Sequence, residues 1–125
     1  MILLDSSVLI ELFHKKSKKD TLFFKLSQSE QEFSISTITY YEIGIGNRKS
    51  HTDYWDKLCE KLRIIPFDKV CADNAVSIYL DLLHTNRLID LADLLIGATA
   101  ATHNIPIATL NVKHFERIDD LKIFQ

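Results

Sequence analysis

The chain has 125 residues, 46% of them hydrophobic and 26% charged, with a formal net charge of −2. That length suits one domain over residues 1–125 with a real core, and the composition excludes a disordered or low-complexity protein. The weak net charge excludes a protein that coats nucleic acid through bulk phosphate neutralisation, but it leaves local charge free to act.

No apolar stretch reaches the roughly 20 residues of a membrane helix. The N-terminus shows no basic region followed by a hydrophobic run and cleavage site, so no signal peptide is expected. Cys59 and Cys71 are too far apart for metal-ligand spacing and suit a reducing cytoplasm. A soluble cytoplasmic protein is the expectation.

In chain order, Ile2-Leu3-Leu4 reads as a short buried strand ending in Asp5, and Ser6 or Ser7 can cap a helix running to about His14. The cluster Lys15-Lys16-Ser17-Lys18-Lys19 breaks that helix. It reads as solvated charge or as a device for steering an anionic substrate, as does the smaller pair Arg48-Lys49. Leu22, Phe23 and Leu26 lie on one helical stripe, and Phe33-Ser34-Ile35-Ser36 alternates as a second strand. Thr37 or Thr39 starts the next helix, which carries Glu42 and weakens near Asn47; Ser50 to Leu62 is helical in pattern. Ile64-Ile65 reads as a third strand stopped by Pro66, and Asp68 can cap a long helix over 69–85.

Asp90 and Asp93 have the spacing of a capping box at the head of the most apolar helix, which runs to about His103 and ends at Asn104. Ile105 to Thr109 leads into a fourth strand. Residues 111–120 are polar and turn-rich, and Leu121 to Phe124 forms a last edge strand. Short strands alternating with helices predict an α/β fold, a parallel sheet covered by helices on both faces.

Ligands in such sheets bind beyond the C-terminal strand ends. Asp5 belongs at that edge, Asp93 in the first turn of a nearby helix, Glu42 one or two turns into another, and Asn111 just after the fourth strand. Unpaired carboxylates are costly near a core. Several gathered around Mg²⁺ or Mn²⁺ are a common way to position phosphate and water. Metal-dependent chemistry on a phosphate ester is therefore the leading expectation. His14, His51, His84, His103 and His114 have no metal-ligand spacing and read as surface or interface residues, and Trp55 as a packing or partner-contact residue. A phosphoacceptor receiver domain would need an adjacent acidic pair after its first strand, where this chain has Asp5-Ser6-Ser7.

These segments together resemble a PIN domain, in particular the ribonuclease toxin of VapBC toxin–antitoxin modules. The resemblance spans nearly the whole chain. It is carried by Met1-Ile2-Leu3-Leu4-Asp5-Ser6-Ser7-Val8-Leu9-Ile10, by Ser36-Thr37-Ile38-Thr39-Tyr40-Tyr41-Glu42-Ile43-Gly44, by Asp93-Leu94-Leu95-Ile96-Gly97-Ala98-Thr99-Ala100 and by Ile107-Ala108-Thr109-Leu110-Asn111-Val112-Lys113-His114-Phe115. It implies a three-layer α/β/α sandwich with a central, mainly parallel sheet. It also implies divalent-metal-dependent RNA cleavage with Mg²⁺, or Mn²⁺, as cofactor, a homodimer, and a cognate antitoxin as partner. Asp5, Glu42 and Asp93 match the family's three principal acids, expected to bind metal. Asn111 stands where a fourth Asp is common, so it carries no charge there. Ser7 and Thr109 match small polar positions around the acids, and Asp90 is expected to cap its helix or support the ligands from behind. A catalytically weak PIN-like module that binds RNA or protein, and a stand-alone RNA-processing nuclease, are the competing readings.

Overall fold

The structure, a computed structural model, describes residues 1–30, 32–46 and 52–124. The expectations for Asn47, the Arg48-Lys49 pair, Ser50 and His51 lie outside the described residues.

Four strands, β1 (Ile2–Leu4), β2 (Phe33–Ser36), β3 (Arg63–Ile65) and β4 (Ile107–Ala108), form one sheet in the order β3-β2-β1-β4. Every pairing is parallel, so the expectation of a mainly parallel sheet is met in full among these strands. Leu3 aligns with Ser34 on one side and Ile107 on the other, and Ile35 aligns with Ile64. The expected last strand is reduced to one parallel bridge, Ile123 to Ile107, beside β4.

The helices are α1 (Ser6–His14), α2 (Leu22–Ser27), α3 (Thr37–Gly46), α4 (Thr52–Lys61), α5 (Lys69–His84), α6 (Leu91–Thr102) and α7 (Val112–Phe115). Side chains alternate across a strand, and that alternation divides the core. Ile2, Leu4, Phe33, Ile35 and Ala108 pack with Val8, Leu9, Leu26 and Trp55. Leu3, Ile65 and Ile107 pack on the opposite face with Ile96, Ala100, Phe115 and Ile118. Two cores, one on each face of a single sheet, make the three layers.

Local chemistry sets most boundaries. Asp68 accepts from Cys71 N at 3.1 Å and caps α5 as expected, and Ser36 Oγ accepts from Thr39 N at 3.1 Å to start α3. Asn104 takes φ 57°, the left-handed backbone that ends α6. Other expectations are corrected. Neither Ser6 nor Ser7 caps α1; Asp5 does, accepting from Val8 N at 3.4 Å. Asp90 occupies the N-cap of α6 without a side-chain capping bond, so no capping box forms. The stretch read as turn-rich contains α7, a single helical turn.

The basic cluster resolves into separate parts. Lys18 Nζ donates to the carbonyls of Leu12 and Lys15, satisfying the end of α1, and Lys15 lies 3.5 Å from Glu11. Lys16 and Lys19 are exposed. Trp55 is 5% exposed, with its ring against Phe13 and Tyr40, so it is a packing residue. Among the described residues no helix is long and apolar enough to cross a membrane.

Helix α6 packs tightly against the α7 segment at Gly97. A Cβ there would stand 2.5 Å from Ile118 Cδ1 and 3.5 Å from Phe115 Cδ1, whereas one at Gly44 in α3 would meet nothing within 4 Å. Gly97→Val should therefore destabilise the protein by roughly 1–3 kcal/mol through overpacking. Gly44→Ala should stabilise it by about 0.5–1 kcal/mol, because Gly is costly inside a helix. Urea denaturation of both variants measures this; shifts of equal sign would refute the close approach.

Candidate active site

The strand order places β1 between β2, reached first, and β4, reached last. The chain therefore leaves the C-terminal end of β1 in one direction and returns on the other side, the position where open α/β sheets form a crevice. Asp5 stands there, 1% exposed. Ser7 Oγ donates to Asp5 Oδ1 at 2.5 Å, and Thr109 Oγ1 donates to Oδ2 at 2.8 Å. Each hydroxyl also accepts a backbone amide: Leu110 N reaches Ser7 Oγ at 3.0 Å and Asn111 N reaches Thr109 Oγ1 at 2.8 Å. The end of β1, the first turn of α1 and the exit of β4 are thus tied through one carboxylate.

Glu42 enters from α3. Ser6 Oγ donates to Glu42 Oε1 at 2.6 Å and lies 3.3 Å from Thr39 Oγ1. Ser6, read in the sequence only as a possible cap, thus ties Glu42 to the chain directly after Asp5. Asp93, half-buried in the first turn of α6, lies near enough to Asp5 that its charge helps raise the Asp5 pKa. Asn111 is exposed and contributes its amide N–H to the network, while its side chain makes no capping bond.

One residue of the site escaped the sequence reading. His114, 40% exposed at its side chain and read as a surface histidine, places Nδ1 2.7 Å from Asp93 Oδ2. The ligand atoms of Asp90, Asp93 and His114 all lie within 4.8 Å of one another, the tightest such grouping among the described residues. The candidate ligands Asp5, Glu42 and Asp93 come from the residue after β1, from α3 and from the first turn of α6. Mg²⁺ usually keeps several waters and takes one or two carboxylates, so it needs no closed cage of protein ligands. The donors are hard oxygens, the type that Mg²⁺ and Mn²⁺ prefer.

Burial pushes the Asp5 carboxyl above its ordinary value of 3.8, and Asp93 pushes the same way; the bonds from Ser7, Thr109 and Val8 oppose them. A carboxylate has about four acceptor sites. Three are filled at Asp5, leaving room for a cation that would offset the cost of the buried charge.

The chain has a parallel α/β architecture with a buried carboxylate, Asp5, at the C-terminal end of its interior strand β1. The PIN domain family matches residues 2–121, and the chain belongs to that family. It is similar to Ribonuclease VapC1 of Methanocaldococcus jannaschii, 35% identical over 132 residues covering 98% of this chain and 86% of the relative. It is also similar to Ribonuclease VapC10 of Mycobacterium tuberculosis, 32% identical over 123 residues covering 98% and 91%. Among solved structures, VapBC-1 of nontypeable Haemophilus influenzae matches with a TM-score of 0.85 at 26% identity, covering 100% of this chain and 98% of that one. VapBC2 of Rickettsia felis, bound to a promoter DNA fragment, matches with a TM-score of 0.83 at 26% identity, covering 99% and 98%.

The raised Asp5 pKa has a consequence in metal-free buffer. The folded state holds the Asp5 proton to higher pH than the unfolded chain does, so stability is lost as pH rises above 3.8 through the folded value. Asp5→Asn removes that loss. The stability of Asp5→Asn relative to wild type should grow as pH rises above 3.8 through the folded value. Urea unfolding at a series of pH values checks it; a difference independent of pH would contradict the raised pKa.

Proposed function

We propose that this chain, as a single domain over residues 1–125, is a divalent-metal-dependent endoribonuclease that hydrolyses RNA phosphodiesters. We further propose that it is a toxin controlled by a cognate antitoxin. The observation that carries the reading is Asp5, a buried, hydrogen-bonded carboxylate with its charge uncompensated by any cation of the protein among the described residues. Relatives over nearly the whole chain are ribonucleases by name, and similar solved structures are VapBC complexes.

In this reading Asp5, Glu42 and Asp93 hold the metal, Mg²⁺ first and Mn²⁺ as the alternative. The bound ion supplies a water of lowered pKa and positive charge at the scissile phosphate. Ser7 and Thr109 fix both oxygens of Asp5, and Ser6 orients Glu42. Asn111, at the mouth, offers an amide oxygen or a hydrogen bond to water where a fourth carboxylate is absent. No side chain need form a covalent intermediate. A shallow, mostly apolar surface lined by Ser7, Ile10, Glu11, His14, Lys15 and Leu110 lies beside the hydroxyl network.

Two exposed apolar surfaces support association with a second copy and with an antitoxin. Tyr40, Tyr41, Ile45 and Tyr54 form one. Val76, Tyr79, Leu80 and Leu83 of α5 form the other, at the i, i+3, i+4, i+7 spacing of one helix face. The homodimer and the antitoxin complex are each assigned to these surfaces as a pair, with no order between them.

A second reading, a PIN-like module that binds RNA or protein with little catalysis, draws on the neutral Asn111. Cleavage of a cellular RNA pool, followed by mapping of new ends, separates the two. Wild type should cut with Mg²⁺ and stop in EDTA, and Asp5→Asn should lose about 100-fold or more while remaining folded by circular dichroism. Full activity in EDTA, or equal cutting by the folded variant, would refute the metal mechanism. No cutting by wild type across several pools would favour the binding module.

A further inference from the structure

The mechanism leaves one close contact unused, the pair Asp93–His114. The two residues come from different elements, α6 and α7. An ionised carboxylate only accepts hydrogen bonds, so Nδ1–H of His114 is the donor and Asp93 Oδ2 the acceptor at 2.7 Å. The other oxygen, Oδ1, has no hydrogen-bond partner among the described residues.

The histidine is held for this contact. Phe115, the next residue, is fully buried against α6, where Gly97 permits the approach. Arg117 Nη1 donates to Leu88 O at 2.8 Å, tying the far end of the same turn to the loop that precedes α6. His114 is thus clamped against the first turn of α6 from both sides in sequence. Its ring is only partly covered, with the side chain 40% exposed, so core burial is not what its placement achieves.

We propose that His114 is a positioning residue for the metal site. By engaging Oδ2 it restricts Asp93 to a single ligand oxygen and so favours small octahedral cations, Mg²⁺ and Mn²⁺, over Ca²⁺. The physical reason lies in ligand number. Mg²⁺ demands near-ideal octahedral geometry with single-oxygen ligands, whereas Ca²⁺ takes six to eight oxygens and readily accepts both from one carboxylate. A hydrogen bond that occupies one oxygen and fixes the plane of the carboxylate removes that bidentate option. Partners that orient ligands in this way change metal affinity by roughly 10–100-fold when removed. The inference rests on the reading of Asp93 as a metal ligand.

The test is calorimetric titration of the purified full chain with Mg²⁺, Mn²⁺ and Ca²⁺. It compares wild type, His114→Ala, His114→Asn and, as a control on the site itself, Asp5→Asn. The asparagine amide can stand in for Nδ1–H; alanine cannot. His114→Ala should weaken Mg²⁺ and Mn²⁺ about 10-fold while Ca²⁺ changes little, and His114→Asn should recover most of the wild-type preference. Three results overturn the proposal. The first is unchanged selectivity in His114→Ala. The second is a His114→Asn variant no better than alanine. The third is loss confined to Mn²⁺, which would make the imidazole itself a ligand, since nitrogen donors suit Mn²⁺ better than Mg²⁺. Wild-type metal binding in Asp5→Asn would refute the acidic site, a failure distinct from those three.

Discussion

Asp5 is the constraint on which the rest of the site depends. A carboxylate that is 1% exposed at the end of a central strand is an unfavourable thing to build. Burial dominates its environment strongly enough that three hydrogen bonds do not bring its pKa back to the ordinary value. The fold responds by surrounding it with short hydroxyl side chains, which donate to it while accepting from backbone amides. That network lowers the cost of the charge without cancelling it, leaving a group suited to compensation by a cation.

The topology explains why so short a segment organises so much. β1 lies inside the sheet with neighbours on both sides, and the residues that follow it each reach a different part of the chain. Asp5 is bonded by Thr109 after β4, Ser6 bonds Glu42 on α3, and Ser7 is bonded by Leu110 in the loop before α7. Asp93 approaches from α6, and α7 is packed beneath it through Phe115 and Gly97. Packing on one face of the sheet and hydrogen bonding at its edge therefore position the same acids.

Much of this was legible in the sequence because it followed strong local rules. The alternation of Ile2, Leu3 and Leu4 placed a strand with both faces buried, and Asp68 before an apolar helical period marked the start of α5. The place of Asp5 beside the exit of β4, where Thr109 and the Asn111 amide join its network, followed from parallel topology. What was missed depended on contacts between distant elements. A helix of four residues carries too little periodicity to read, so neither α7 nor the contact of His114 with Asp93 shows in the sequence. Ser6 looked like a cap because serine favours that position, yet Asp5 took it and freed Ser6 for Glu42. Asp90 and Asp93 had capping-box spacing, but Asp93 turned to His114 and Asp90 made no side-chain capping bond. In each case a tertiary partner overrode a local preference.

In the proposed mechanism the buried charge of Asp5 is completed by a divalent cation shared with Asp93. Anomalous diffraction at the manganese absorption edge, from crystals of the chain equilibrated with Mn²⁺, tests it most directly. An anomalous peak is expected at about 2.0–2.3 Å from oxygens of both Asp5 and Asp93. A peak held only by Asp90 and His114, or no peak at the end of β1 at saturating Mn²⁺, would contradict it.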